Sequence, residues 1–329
     1  MMNPTLIVTV DTEEEGLWSG QYRVKGNTLQ NLRGIPRFQA LCEQYSIRPT
    51  YLIDAAVVGD EYGCELFRGW SEEDRCEIGA HLHPWCNPPF EESPGSRNSY
   101  LCNLDVDLQR RKIQWLTDQI SQRVGRVPRS FRAGRYGLDG NGAQLLVEAG
   151  YSVDSSVIAF SDFRPHGPDF RDAPVQPYWV RPASGLLQPQ ASGALLEVPV
   201  SVGFNRHNFG QAVRWRERAS RAPWKQLRGV GWLDRTGLAR RIKFSPEQAD
   251  AKGMCTLVDA YLAQSAPVMV LMLHSSSLMV GGSPYVPTAA RLDRLFDDLS
   301  VTFDYCVRQR GMTPHTLSDM APRTLEVRR

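Results

Sequence analysis

The stretch Ile78-Gly79-Ala80-His81-Leu82-His83-Pro84-Trp85 joins a short apolar run to two histidines spaced two apart. In extended chain, residues i and i+2 point to the same side. Both imidazoles can therefore converge on one point if this run is a strand. Pro84 biases His83 away from the helical region, which supports the extended conformation. Imidazole pairs suit zinc, copper, iron or nickel. A histidine pair alone is a weak signal, since many are surface accidents; its weight depends on what ends the other strands.

Residues 5–10 are apolar and β-rich and are expected to form a first, central strand. They run into Asp11-Thr12-Glu13, where the period of two again places both carboxylates on one side. Carboxylates at the end of an interior strand are costly unless paired or metal-bound. Asp11 and Glu13 are therefore assigned to function, and Glu14 and Glu15 to a solvated acidic loop. Further strands are expected at 49–53, 128–137 (strand, then turn), 153–157 and 268–273, the last ending in His274. A strand at 195–202 contains Pro199, which marks an edge or a bulge. Helical spacing appears at 34–45, 108–124, 143–149 and 289–308, with Gly150 stopping the third of these. A short helix capped by Ser71 is expected at 71–76. Another is expected at 246–263, with Ser245 as its cap and Pro246 in its first turn. Residues 164–190, rich in Pro and Gly, form an irregular excursion.

Strands alternating with helices predict a parallel α/β architecture. Polar residues gather just after the strands: Asp11, Glu13, His81, His83, Arg132, Asp154 and His274. In α/β barrels that end of the strands carries the site.

The chain has 329 residues, a net charge of +2 and 42% hydrophobic residues, enough for one large α/β domain or two small ones. So small a charge excludes a general nucleic-acid partner. The seven cysteines form no Cys-x-x-Cys pair, which points away from zinc ribbons and disulfide frameworks. Reduced thiols in a cytoplasmic protein are expected instead. The first apolar run is too short for a signal peptide, and no apolar segment approaches the ~20 residues of a membrane span. One stretch, at about 205–245, departs from the balanced whole. It is rich in Arg and Lys, with only Glu217 and Asp234 against them, and Trp215, Trp224 and Trp232 are interleaved. Such a stretch suits an anionic membrane surface or a phosphate-bearing substrate. The plain alternative is a solvated helical face with its tryptophans packed inward.

Five motifs in order carry a resemblance: Val-Asp-Thr-Glu at 10–13, His-Leu-His-Pro-Trp at 81–85, Phe-Arg-Ala-Gly-Arg-Tyr-Gly at 131–137, Asp-Ser-Ser at 154–156 and Leu-Met-Leu-His-Ser at 271–275. Together they resemble the polysaccharide deacetylase (NodB-homology) superfamily, and most closely its WbmS-like branch, over residues 5 to about 317. The resemblance implies one catalytic domain over 1–329, a distorted (β/α)7 barrel with the basic stretch as an insertion. It also implies metal-assisted hydrolysis of an N-acyl group. Carried over by position, Asp11 corresponds to the general base and Glu13 to the carboxylate ligand. His81 and His83 correspond to the histidine ligands, and Arg132 to the residue that orients the base. Tyr136 falls where a backbone N–H meets the oxyanion. Asp154 is placed to tune His274, the implied general acid. The commoner pattern has adjacent Asp-Asp, so Asp11 and Glu13 can exchange roles here. Its histidines lie four apart rather than two. Its third motif lacks Arg135, which could hold a carboxylate of the protein or of the substrate.

The chemistry asks for these residue types independently. Two histidines and one carboxylate leave an open position, as in hydrolytic zinc sites. The metal lowers the pKa of water and polarises an acyl oxygen. A carboxylate accepts the water's proton. A histidine on another strand protonates the leaving nitrogen. The expectation is a cytoplasmic, zinc-dependent deacylase of an N-acylated sugar or glycan, with peripheral contact at the inner face of the membrane through the basic stretch and no inferable protein partner. A deformylase or other small-amide hydrolase on the same site is the nearest alternative. A silent glycan-binding barrel is another, but it needs neither Asp11 as base nor His274 as acid. Trp85 fits a substrate platform and plain core equally well. His166, His207 and His315 are assigned to structure or solvent, and the loop at 281–285 to a turn that could touch substrate.

Overall fold

The computed structural model describes residues 4–182, 185–224, 226 and 228–321. Its strands are β1 (Thr5–Thr12), β2 (Thr50–Ile53), β3 (Glu77–Leu82), β4 (Ser130–Ala133), β5 (Val153–Asp154), β6 (Tyr178–Val180), β7 (Pro189–Gln190), β8 (Leu195–Glu197), β9 (Val202–Phe204), β10 (Arg241–Lys243), β11 (Val268–His274) and β12 (Thr313–His315). The helices are α1 (Ile35–Glu43), α2 (Ala55–Gly59), α3 (Glu61–Glu72), α4 (Val106–Val124), α5 (Gly140–Glu148), α6 (Phe209–Ala219), α7 (Gly229–Thr236), α8 (Ala251–Leu262) and α9 (Ala289–Asp304).

Every residue of β1 is buried. A strand covered on both faces reads as one apolar run, and such strands belong to parallel sheets flanked by helices. The sheet runs β11-β1-β2-β3-β4-β5-β8, all parallel, and continues through antiparallel β6 and β7. β12 pairs the first residues of β1, below the point where β2 begins to pair. No ladder joins β8 to β11 among the described residues. Ser201 bridges that gap: its N–H donates to the Val270 carbonyl at 3.2 Å, and Val270 N–H donates to Ser201 Oγ at 2.8 Å. Phe244 links the same two segments, donating to Ser201 and accepting from Met272. The architecture is thus the expected distorted (β/α)7 type. The parallel strands deliver their C-terminal residues to one end.

Several expected bounds shift. Residues 71–76 do not start a helix; they end α3, whose cap is Asp60, with its Oδ1 accepting from Gly63 N–H at 2.7 Å. Asp74 leaves that helix with φ 55°. The expected strand at 195–202 is divided around Pro199 into β8 and β9. The expected helix at 246–263 starts only at Ala251, capped by Asp250, whose Oδ1 accepts from Gly253 N–H at 2.9 Å. Residues 245–249 instead form a turn against the strand ends.

The basic insertion rises between β9 and β10, which pair antiparallel. Phe209 and Ala212 of α6 are buried, and Leu233 anchors α7. Arg216 pairs with Asp234 across the two helices. Trp215 packs partly inward, whereas Trp224 and Trp232 are 57% and 59% exposed. That corrects the inward-packing alternative for two of the three tryptophans. Lys225 lies outside the described residues. Among the described residues, no helix is long and apolar enough to cross a membrane.

Candidate active site

Two parallel strands, β1 and β3, bring the first cluster together. Glu13, just past β1, is 2% exposed, and its Oε2 lies 3.1 Å from His81 Nε2 and 2.7 Å from His83 Nε2. Extended backbone continues one residue beyond β3, with φ −99° and ψ 116° at His83, so the two rings share a side as the spacing requires. Asn31 and Ser275 fix Glu13 from behind. Asn31 Nδ2 donates to the Glu13 carbonyl at 2.9 Å and to Ser275 Oγ at 2.8 Å.

The hydrogen-bond pattern fits a cation at this point. His81 Nδ1 lies 3.0 Å from the Arg132 carbonyl, which only accepts, so Nδ1 carries the proton. Nε2 of the neutral ring then turns a lone pair on a carboxylate oxygen, acceptor against acceptor. His83 meets the same oxygen with its own Nε2. A proton on His81 Nε2 would relieve the His81 contact, and so would a divalent ion shared by Glu13 and both rings. The three ligand atoms all lie within 4.8 Å of one another. A ring nitrogen held by a backbone carbonyl is the usual support behind a metal-bound histidine. Glycine is needed at 134, where a Cβ would stand 2.4 Å from His83 Nδ1.

Asp11 and Arg132 form the second group. Arg132 is fully buried and spends its donors on four acceptors: Asp11 Oδ1 at 2.5 Å, Thr9 Oγ1, the Ser155 carbonyl and Ser155 Oγ. Burial alone would raise the Asp11 carboxyl, but Arg132, and after it His81 and His274, hold it below the ordinary value. Asp11 is therefore an ionised carboxylate with its orientation set. His81 pairs with Arg132 in the β3–β4 register, and Asp11 pairs with His274 in the β1–β11 register.

His274 closes the third side. The structure corrects its expected partner. Asp154 does not tune it: the Asp154 carboxylate accepts from Ser156 Oγ at 2.6 Å and from Ser156 N–H, beside buried Glu197. Glu247 takes that position, with both carboxylate oxygens 3.0 Å from His274 Nδ1. Ser277 Oγ donates to the same carboxylate at 2.6 Å. Burial opposes charge on His274, but Glu247, and then Glu13, outweigh it and push the imidazole up to about 9. Glu247 lies in the turn that the expected helix would have absorbed. It lies four residues past β10, where no strand end is expected from the sequence, so no local pattern marks it.

Glu14 also differs from expectation. It is 2% exposed, not solvated, and accepts from Trp85 Nε1 at 3.0 Å. Asp54 and Cys86 join it in a buried cluster. Burial, and then Glu14, push the Asp54 carboxyl well up, which favours its protonated form. The Trp85 ring lies 4.3 Å from that of His83. Trp18, unassigned from sequence, stands edge-on to His274 at 5.0 Å.

The three sides open on one cavity of about 340 Å³, lined by Asp11, Glu13, His81, His83, His274, Trp18, Tyr22, Trp85, Arg135, Tyr136 and Met272, among others. Arg132, Asp154 and Glu247 do not line it; they act behind the wall. Tyr136 sits on the wall with φ 60°, its hydroxyl accepting from Lys243 Nζ at 3.0 Å. Arg135 meets no protein carboxylate among the described residues; it donates to the Tyr22 hydroxyl and Ser99 Oγ.

No protein-family model matches the sequence, and no curated protein matches it. Solved structures do. A protein assigned as a polysaccharide deacetylase from Mycobacterium smegmatis aligns with TM-score 0.53 and 16% identity, over 99% of this chain and 92% of that one. Another, from Pseudomonas aeruginosa PAO1, aligns with TM-score 0.52 and 13% identity, over 97% and 90%. Puue allantoinase aligns with TM-score 0.53 and 12% identity, over 98% and 91%. The fold of this chain is that of the polysaccharide deacetylases.

Proposed function

We propose that the chain is a metal-dependent hydrolase that removes an N-acyl group, in the first place acetyl, from a sugar or surface-polysaccharide intermediate. One observation supports this most. A candidate cation site, an ionised carboxylate and a carboxylate-backed imidazole face the same cavity from three sides. Glu13, His81 and His83 would hold the metal, with zinc the ion their chemistry suits. When bound, it supplies Lewis acidity that acidifies water and polarises a carbonyl. Asp11, held ionised by Arg132, takes a proton from the attacking water. His274 gives a proton from Nε2 to the departing nitrogen, while Nδ1 stays on Glu247. Trp85 and Tyr136 form walls against the sugar. A binding module needs neither proton device. The fold alone does not choose the substrate, since an allantoinase shares it. The motifs keep the WbmS-like branch as our narrower assignment. The test is release of acetate or formate from a panel of N-acetyl and N-formyl sugars by zinc-loaded protein. Acetate release from at least one sugar is expected. Release of formate alone would make the chain a deformylase, and release of neither would refute the sugar N-deacylase assignment.

We place the reaction on the cytoplasmic side, at the inner face of the membrane. All seven cysteines are unpaired, as in reducing compartments. Trp215, Trp224 and Trp232 line an apolar cleft of about 450 Å³ on the helical insertion, with Arg218 at its edge. Exposed tryptophans among arginines are the composition of an interfacial anchor.

A further inference from the structure

The cavity is acidic at its base and aromatic on its walls, and it contains one side chain of opposite character. Among the described residues lining it, Arg135 is the one Arg or Lys. Its position is built rather than incidental. Arg135 and Tyr136 both adopt left-handed backbone, with φ 55° and 60°. Two consecutive non-glycine residues in that region are costly, and such strain gathers at functional sites. The guanidinium is then fixed by its surroundings. It lies 4.5 Å from the Tyr100 ring centroid and 5.9 Å from that of Tyr22. Nη1 donates to Tyr22 Oη and to Ser99 Oγ, both at 2.6 Å. Ser99 and Tyr100 are almost fully buried, so this support is rigid.

Every one of these contacts is neutral. Arg132, three residues earlier, shows the opposite arrangement: it is fully buried and its charge is met by Asp11. The protein thus neutralises one arginine of the motif and presents the other, half-buried and pre-oriented, to the cavity. A planar guanidinium held this way suits a carboxylate or phosphate, which it can grip with two parallel donors. On the deacetylase reading, on which this rests, we infer that the substrate is an anionic N-acylated sugar and that Arg135 is the residue that recognises its carboxylate or phosphate. The acidic base of the cavity does not oppose this. Arg132 and a metal answer the charges of Asp11 and Glu13, and His274 is paired with Glu247, leaving Arg135 for the ligand.

The test is calorimetric titration of the zinc-loaded full chain with N-acetylglucosamine, its 1-phosphate, its 6-phosphate and N-acetylmuramic acid. These carry no anion, or one at three different places on the ring. At least one charged sugar should bind about tenfold or more tightly than the neutral one, the scale of one hydrogen bond to a charged group. Rising salt should narrow the difference. Arg135→Gln should bring the ratio close to one, and Arg135→Lys should restore part of it. Attraction by the metal itself persists in Arg135→Gln, so loss of the ratio reports on the guanidinium. Equal binding of charged and neutral sugars, or a ratio kept in Arg135→Gln, would overturn the inference. Acetate release from the same sugars separates it from the function beneath it. Release without preference for charge keeps the deacetylase and removes the anionic substrate. Preference in binding with no acetate from any sugar removes the deacetylase and leaves an anion-binding site.

Discussion

Glu247 carries the imidazole of His274: its two carboxylate oxygens both lie 3.0 Å from Nδ1, and one also accepts the His274 backbone N–H at 2.9 Å. The ring is thereby turned so that Nε2 faces the cavity and Glu13. The carboxylate favours the protonated ring, which is the form a general acid needs. Activity should fall as pH rises through the pKa of that acid. Glu247→Gln removes the charge that raises it, so the alkaline limb of kcat/KM should move to lower pH. A limb that stays in place would make Glu247 a purely structural residue. His274→Ala should lose ~10²–10⁴-fold in turnover with metal content unchanged.

Metal content separates ligand from base. Wild-type protein should retain about one zinc per chain, and His81→Ala with His83→Ala should lose it. Glu13→Gln should lose metal too, because Glu13 Oε2 meets both rings. Asp11→Asn should keep metal and lose rate, because Asp11 is held by Arg132. The reverse pattern in metal analysis would exchange the two roles.

Gly134→Ala should damage the same centre without replacing a ligand. The added methyl would meet His83 Nδ1 at 2.4 Å and the Leu82 carbonyl at 2.8 Å. Overpacking of this kind costs about 1–3 kcal/mol. Gly69→Ala, whose Cβ would meet nothing within 4 Å on α3, is the control and should be neutral or slightly stabilising. Thermal melts and a zinc titration compare them; equal zinc affinity in both variants would contradict the close approach.

The insertion makes a separable prediction. The chain should float with anionic vesicles and not with neutral ones, and added salt should weaken that binding. Trp224→Ala with Trp232→Ala should reduce flotation, since both rings are largely exposed. Absence from anionic vesicles at low salt would return the stretch to ordinary surface.

What could be read from the sequence follows physical range. β1, β3 and β11 are visible because strands buried on both faces are continuous apolar runs. His81 and His83 could be paired by counting residues, since the strand period holds them together. Glu247 escapes the sequence pattern because Ser245-Pro246 resembles a helix cap, whereas the helix starts at Ala251 under Asp250. The burial of Glu14 is not legible in the sequence, because its partners Trp85, Asp54 and Cys86 come from distant segments that no local pattern announces. Asp154 was tied to His274 by motif order alone, whereas its neighbours in space are Ser156 and Glu197.

The last pair of the β1–β11 ladder is Asp11 with His274. The group that would receive a proton and the group that would return one are therefore carried on one rung of the sheet, on neighbouring strands that lie ~4.8 Å apart. The spacing of their backbones is a sheet repeat, and Arg132 and Glu247 set only the direction of each side chain. The loop at 15–29 and the helices at 209–236 can be exchanged or remodelled without changing it. A chain built this way can alter what it admits while the span its protons must cross stays constant.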